Sequence, residues 1–161
     1  MSYERVMQTQ YLELNEGRLA YTDYGGSGPL VLMLPGMAAL RSEYRFLAPK
    51  LSAAGFRPVS VDLCGQGDSS VPWPVYDVPS TGSDILALIE HLDDHCAHLI
   101  GTSFSAAPSV WAAVERPELV RSIGAHQSFC APGKNQSADE CPVLDHAAQS
   151  LACAHLGDVF P

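Results

Sequence analysis

Apolar and polar positions along the chain follow two periods in turn, and that alternation predicts most of its elements. Residues 11–14 and 19–24 alternate apolar and polar around Asn15-Glu16-Gly17, the pattern of a β-hairpin closed by a tight turn. After the loop Gly25-Gly26-Ser27-Gly28-Pro29 comes an unbroken apolar run, residues 30–34, as a strand buried on both faces requires. Residues 41–54 switch to the helical period, with Tyr44, Leu47, Leu51 and Ala54 on one face and Gly55 as the stop. A second buried strand is predicted at 58–63. The next helix, capped by Ser83, carries Ile85, Leu88, Ile89 and Leu92 in one stripe. A short apolar strand through Leu99 and Ile100 leads into a helix that runs to about Arg116, in which Pro108 is expected to introduce a bend. Residues 121–127 read as one more strand. Strands alternating with helices at this spacing predict an α/β fold: a largely parallel sheet with helices on both faces, right-handed crossovers and an N-terminal β-hairpin.

Composition sets bounds on that picture. With 161 residues, 47% apolar and 17% charged, the chain is long enough for one domain with a proper core and too short for two. The core is expected over residues 1–128. Residues 129–161 are rich in small residues, hold three of the five cysteines and lack a strand pattern; they read as an atypical tail, helical at Val143, Ala147 and Leu151 or disordered. A net charge of −9, with only nine Lys and Arg and none between Arg57 and Arg116, argues against nucleic acid or a membrane surface as partner. Cys64, Cys96, Cys130, Cys141 and Cys153 form no Cys-x-x-Cys pair, so neither a zinc site nor a dithiol motif is signalled; no metal or cofactor is expected. Scattered, odd-numbered cysteines and an N-terminus without an apolar targeting segment point to a soluble, cytoplasmic protein.

The chemistry gathers around Gly101-Thr102-Ser103-Phe104-Ser105. An apolar strand that reverses sharply into a helix strains the residue at the bend, so the positions two before and two after it must be small. Gly101 and Ser105 occupy those positions. Such a bend would lift the Ser103 hydroxyl clear of the sheet and set it at the amino end of a helix, where N–H groups favour a developing oxyanion. The plainer alternative is a strand-to-helix turn that happens to contain a serine.

Two further motifs decide between these readings. Leu34-Pro35-Gly36-Met37 closes the first buried strand, and Asp62-Leu63-Cys64-Gly65-Gln66-Gly67-Asp68-Ser69 leaves the second. In this order and strand context, the three motifs resemble the N-terminal half of the α/β-hydrolase fold family, over residues 11–127. The resemblance is to its serine-nucleophile branch, beside esterases, haloperoxidase-like enzymes, epoxide hydrolases and C–C bond hydrolases. It implies Ser103 as nucleophile, an oxyanion hole made by the backbone N–H groups of Met37 and Phe104, and structural roles for Gly36, Asp62, Gly65, Gly67, Ser69, Gly101 and Ser105. Pro35 stands where the family has histidine, Cys64 and Gln66 where it has arginine and histidine, and Ser105 where it has the last glycine of G-x-S-x-G. None of these departures removes a reacting group. Asp62 reads as the acceptor that closes its own glycine loop rather than as an acid catalyst.

A serine nucleophile needs a base, and the family order is Ser, acid, His. Only 58 residues follow Ser103, so the chain reads as truncated, or as leaving the family pattern near Phe129. Asp139 or Asp145 followed by His146 or His155 satisfies the order formally. His126 is the better candidate, because it ends the strand expected beside the elbow, where ligands meet such sheets. Its alternative is an ordinary polar residue at a sheet end. His91, His95 and His98 belong to the opposite end of the elbow strand and read as structural or solvated, as do Asp93 and Asp94. Two function classes stand: a serine hydrolase acting on a small ester or acyl compound, and a catalytically silent fragment or binding module. The strand at 121–127 is expected to present an open edge, through which the chain would self-associate.

Overall fold

The computed structural model describes residues 8–92 and 95–126. The tail, Gln127, Asp93 and Asp94 lie outside the described residues. Six strands form one sheet: β1 (Gln10–Glu13), β2 (Arg18–Asp23), β3 (Leu30–Leu34), β4 (Arg57–Val61), β5 (Ala97–Thr102) and β6 (Val120–His126). Their spatial order is β1-β2-β4-β3-β5-β6. The β1-β2 hairpin joins β4 antiparallel, and β4, β3, β5 and β6 run parallel to one another. The result is a largely parallel sheet with helices on both faces, as the two periods predict.

Strand β3 lies at the centre and shows why an unbroken apolar run was needed. Its five residues are all buried. Val31 and Met33 face one side and pack with Tyr44, Leu47, Leu51, Phe56 and Ile100 under α1 (Leu47–Ala53). Leu30, Leu32 and Leu34 face the other, against α2 (Val78–His91) and α3 (Ala106–Glu115), with Ile85, Leu88, Ile89 and Ala112. The period-2 alternation of a strand thus feeds two separate cores from one segment.

Several boundaries differ from the sequence expectation, each for a local reason. The helix expected at 41–54 divides into a 3-10 turn, Arg41–Arg45, and α1, because the Arg41 N–H and guanidinium bind Asp62, just past the end of β4, and the Tyr44 hydroxyl binds Leu34 of β3, which hold the first turn tight. Ser83 does not cap α2. Asp77 does, its Oδ1 accepting from the Ser80 N–H at 2.8 Å, while Ser83 sits inside the helix and donates to the Pro79 carbonyl. Pro79 in the first turn needs no N–H partner, which lets the helix begin six residues early. Pro108 produces no bend, because α3 starts only at Ala106 and the proline falls in the first turn.

One buried carboxyl strains this core. Asp84 on α2 lines a small apolar cavity with Leu19, Leu34, Val61, Ile85 and Leu88, and its Oδ2 has no partner among the described residues. Burial, and secondarily the charge of Glu16, push it up to about 7. The folded state therefore holds a proton that the unfolded chain releases near the ordinary carboxylate range. Stability falls as pH rises from about 4 to about 7 and stays lower above it. Asp84→Asn is expected to stabilise the protein at pH 8, by about 1–2 kcal/mol after discounting for the solvent that reaches this half-buried group, and to change little at pH 4. Thermal melts of both proteins across that range check it.

Candidate active site

Strand β5 ends at Thr102, and Ser103 follows with φ +53°, in the left-handed region that a non-glycine residue seldom occupies. Holding it there costs about 1–3 kcal/mol, which the surrounding contacts must offset. The bend is tight. A Cβ on Gly101 would stand 2.9 Å from the Ser105 carbonyl oxygen and 3.0 Å from Ala106, so only glycine fits. A 3-10 turn, Ser103–Ser105, carries the chain into α3 with the Ser103 side chain exposed and Ser105 fully buried.

Ser105 does more than fit. Its hydroxyl accepts from the Thr102 N–H at 2.9 Å and donates to the Leu34 carbonyl at 2.7 Å, tying the elbow to the end of β3. Where a glycine would leave this turn without side-chain support, the serine staples it. Ser105→Ala strands the buried Thr102 N–H, while the Leu34 carbonyl keeps the Tyr44 hydroxyl as donor, and is expected to cost about 1–3 kcal/mol, read from thermal or urea melts. The Tyr44 hydroxyl reinforces the staple, donating to the same Leu34 carbonyl at 2.6 Å and lying 2.8 Å from Thr102 Oγ1. Burial raises its pKa well above the ordinary tyrosine range.

The Leu34-to-Met37 turn is thereby brought against Ser103. A Cβ on Gly36 would lie 3.6 Å from Ser103 Cβ, so the two turns are in contact. Ala38 just beyond has φ +60°, and the Ala39 N–H closes on the Gly36 carbonyl at 3.1 Å. Between the Met37 turn and Phe104, the residue after Ser103, opens a cleft of about 360 Å³, lined by Met37, Ala38, Leu63, Cys64, Gln66 and Phe104, among others.

The Asp62 loop forms one wall of that cleft. Asp62 is buried, and its carboxylate accepts from the Arg41 N–H at 2.7 Å, the Asp68 N–H at 3.1 Å and the Arg41 guanidinium. Gly67 has φ +54°, and a Cβ there would collide with the Asp62 carboxylate. Ser69 donates to the Asp62 carbonyl at 2.7 Å and accepts from the Ala20 N–H. A Cβ on Gly65 would meet the Tyr76 ring. The Asp62 carboxylate is thus engaged by Arg41 and by its own loop.

The histidines divide by position. His126 pairs across the sheet with Thr102, one residue before Ser103. Among the described residues no side chain hydrogen-bonds the Ser103 hydroxyl. His98 is buried, its Nδ1 2.7 Å from Ser122 Oγ and its ring edge-on to Phe56; His91 contacts the Tyr21 hydroxyl, and His95 is exposed. Asp139, Asp145, His146 and His155 lie outside the described residues. No group of three or more metal-ligating side chains occurs among the described residues, and no helix there is long and apolar enough to cross a membrane. Tyr44, whose spacing marks it only as a core residue, is brought by the fold to the elbow, where its hydroxyl reaches Leu34 and Thr102.

With this geometry in view, comparison with known proteins places the chain. Residues 29–152 match the alpha/beta hydrolase fold family, and the chain belongs to that family. It is 38% identical over 98 residues to the 2-(acetamidomethylene)succinate hydrolase of Mesorhizobium japonicum, a match covering 61% of this chain and 35% of that protein. It is 31% identical over 129 residues to bifunctional epoxide hydrolase 2 of Sus scrofa, covering 75% of this chain and 23% of that one. The crystal structure of epoxide hydrolase A from Mycobacterium thermoresistibile superposes with a TM-score of 0.68 at 28% identity, over 73% of this chain and 38% of that chain. The chain spans about a third of the length of the curated relatives it matches.

Proposed function

We propose that this chain carries the nucleophile half of a serine hydrolase that acts on a small ester or similar acyl compound. The observation that carries the reading is Ser103, exposed at a left-handed bend with the Gly36 turn against it. Ser103 Oγ attacks the acyl carbonyl carbon, and the Met37 and Phe104 N–H groups donate to the oxyanion. The leaving alcohol departs with a proton; water then adds to the acyl-serine ester and releases the acid. His126, at the end of the neighbouring strand, is the base candidate within the described residues.

The residue type argues for acyl substrates over epoxides. A serine oxygen that opened an epoxide would be left as an ether, which water does not cleave, whereas an acyl-serine is an ester and turns over. The relatives named as epoxide hydrolases therefore do not transfer their substrate to this chain. The test is covalent: a fluorophosphonate should label Ser103 as a single phosphonylated peptide in the digested protein. A second reading, an α/β-hydrolase scaffold without a working base, follows from the unpaired Ser103 hydroxyl and gives no labelling and no turnover of activated aryl esters above Ser103→Ala.

Two further features belong to the proposal. Cys64 and Cys96 are free thiols, which supports a reducing, cytoplasmic setting. Strand β6 ends the sheet order, with Gly124 and Ala125 exposed, and we propose that two copies pair along it. Sedimentation is expected to give a dimer or larger species, and Ala125→Lys a monomer; an unmodified chain that sediments as a monomer would remove this part.

A further inference from the structure

We infer that Tyr76 is a specificity-determining residue of the site, the fixed wall of a cleft that selects an uncharged, apolar acyl group. This rests on the serine-hydrolase reading above. The cleft adjoins the elbow through its own lining, since Phe104 follows Ser103 and Met37 follows Gly36, where a Cβ would lie 3.6 Å from Ser103 Cβ. Tyr76 lines the same cleft and is held in several ways. Its ring lies on Gly65, where any Cβ would collide with it. Its hydroxyl accepts from the Trp73 N–H at 2.7 Å, and Trp73 is itself buried against the hairpin turn at Gly17. The next residue, Asp77, caps α2. A side chain fixed in this way loses little freedom when a ligand arrives, yet Tyr76 stays 53% exposed and Met37 69%. Large apolar groups left open together along a cleft mark a binding surface.

The charge of the lining decides the class of ligand. Among the described residues, every side chain that lines the cleft is uncharged, Met37, Leu63, Cys64 and Phe104 being apolar and Gln66 and Thr81 neutral. No Lys or Arg stands between Arg57 and Arg116, the stretch that supplies the Asp62 loop, Tyr76 and Phe104. Arg41, which holds that loop, lines a separate hollow of about 450 Å³ and is engaged by Asp62 and Asp68. The small inner cavity that shares Leu63, Cys64 and Thr81 with the cleft holds Asp84, a carboxyl and not a cation. Gln66 Oε1 is buried without a partner among the described residues; a ligand hydroxyl or N–H would satisfy it and a carboxylate would not. An anion placed here loses hydration without gaining an ion pair, whereas an alkyl or aryl group gains by leaving water.

The test uses two pairs of probes, each pair differing by one anionic group. An alkyl fluorophosphonate is expected to label Ser103 roughly tenfold faster than the same chain ended by a carboxylate. Tyr76→Ala is expected to remove most of that difference by slowing the alkyl reagent alone. Gln66→Lys puts a cation into the lining, is expected to speed the carboxylate-ended reagent, and serves if the alanine variant does not fold. Equal rates for the two reagents, a Tyr76→Ala loss shared by both, or a Gln66→Lys protein with the wild-type ratio would overturn the inference and leave Ser103 as nucleophile. The second pair needs no reaction: N-phenyl-1-naphthylamine and its anionic relative 8-anilinonaphthalene-1-sulfonate, both read by fluorescence. The neutral probe is expected to bind the tighter, and equally to wild type and Ser103→Ala. Tyr76→Ala is expected to weaken it, and Val114→Ala, at an exposed site outside the cleft lining, to leave it unchanged. An unlabelled wild-type protein that binds the neutral probe in this way would overturn the hydrolase reading and uphold Tyr76 as the apolar wall. Neutral-probe binding that Tyr76→Ala does not weaken would overturn the inference whatever the labelling.

Discussion

Ser103→Ala is expected to abolish covalent labelling and to reduce turnover of an activated aryl ester to the residual catalysis of binding and oxyanion donors, roughly a thousandfold over water. Two features of the elbow make this a large effect. In the proposed mechanism the Ser103 hydroxyl, exposed at the bend, is the attacking group, and the amides of Phe104 and Met37 are the donors that would assist attack only at that point. Alanine keeps the strained φ of +53° and gains little stability; Ser103→Gly relieves it and is expected to melt higher than Ser103→Ala by about 1 kcal/mol. A pair of variants thus separates chemistry from strain. Equal labelling of wild type and Ser103→Ala would mean that the reactive group lies elsewhere.

Asp62→Ala is expected to give the largest loss of stability. The residue is 1% exposed and receives two backbone N–H groups and a guanidinium that is itself only 16% exposed. Removing it leaves Arg41 with Asp68 as its remaining carboxylate and strips acceptors from the Arg41 and Asp68 amides. Breaking a buried pair from one side costs about 3–5 kcal/mol, roughly 10 °C or more in melting temperature for a chain of this length. The cleft should suffer with it, since Cys64 and Gln66 ride on the same loop. The double replacement Asp62→Asn with Arg41→Met leaves no stranded charge and is expected to recover part of the loss. A melt of Asp62→Ala within a degree or two of wild type would show that the loop does not depend on this acceptor.

Much of the fold was legible from the chain alone because its signals are local. The five apolar residues of β3 can only be a strand buried on both faces, and the alternation of strand and helix periods dictates a parallel sheet with helices on both sides. The glycine two residues before Ser103 likewise announces a bend, because the absence of a Cβ is a property of one residue.

What the sequence could not settle depends on partners far away along the chain. Ser83 and Asp77 are both competent N-caps by type, and the choice fell to Asp77 because Pro79 suits the first helical turn and the stripe from Ile85 to Leu92 packs equally well on a longer helix. Ser105 reads in sequence as a mere substitute for glycine; only the approach of β3 gives its hydroxyl the Leu34 carbonyl, 71 positions earlier. Tyr44 carries only a core signal in sequence, and its hydroxyl reaches Leu34 and Thr102 because β3 and β5 end side by side. Local periodicity and backbone sterics are written residue by residue. Which polar side chains meet over the ends of the strands is decided by strand order, and strand order exists only once the sheet has formed.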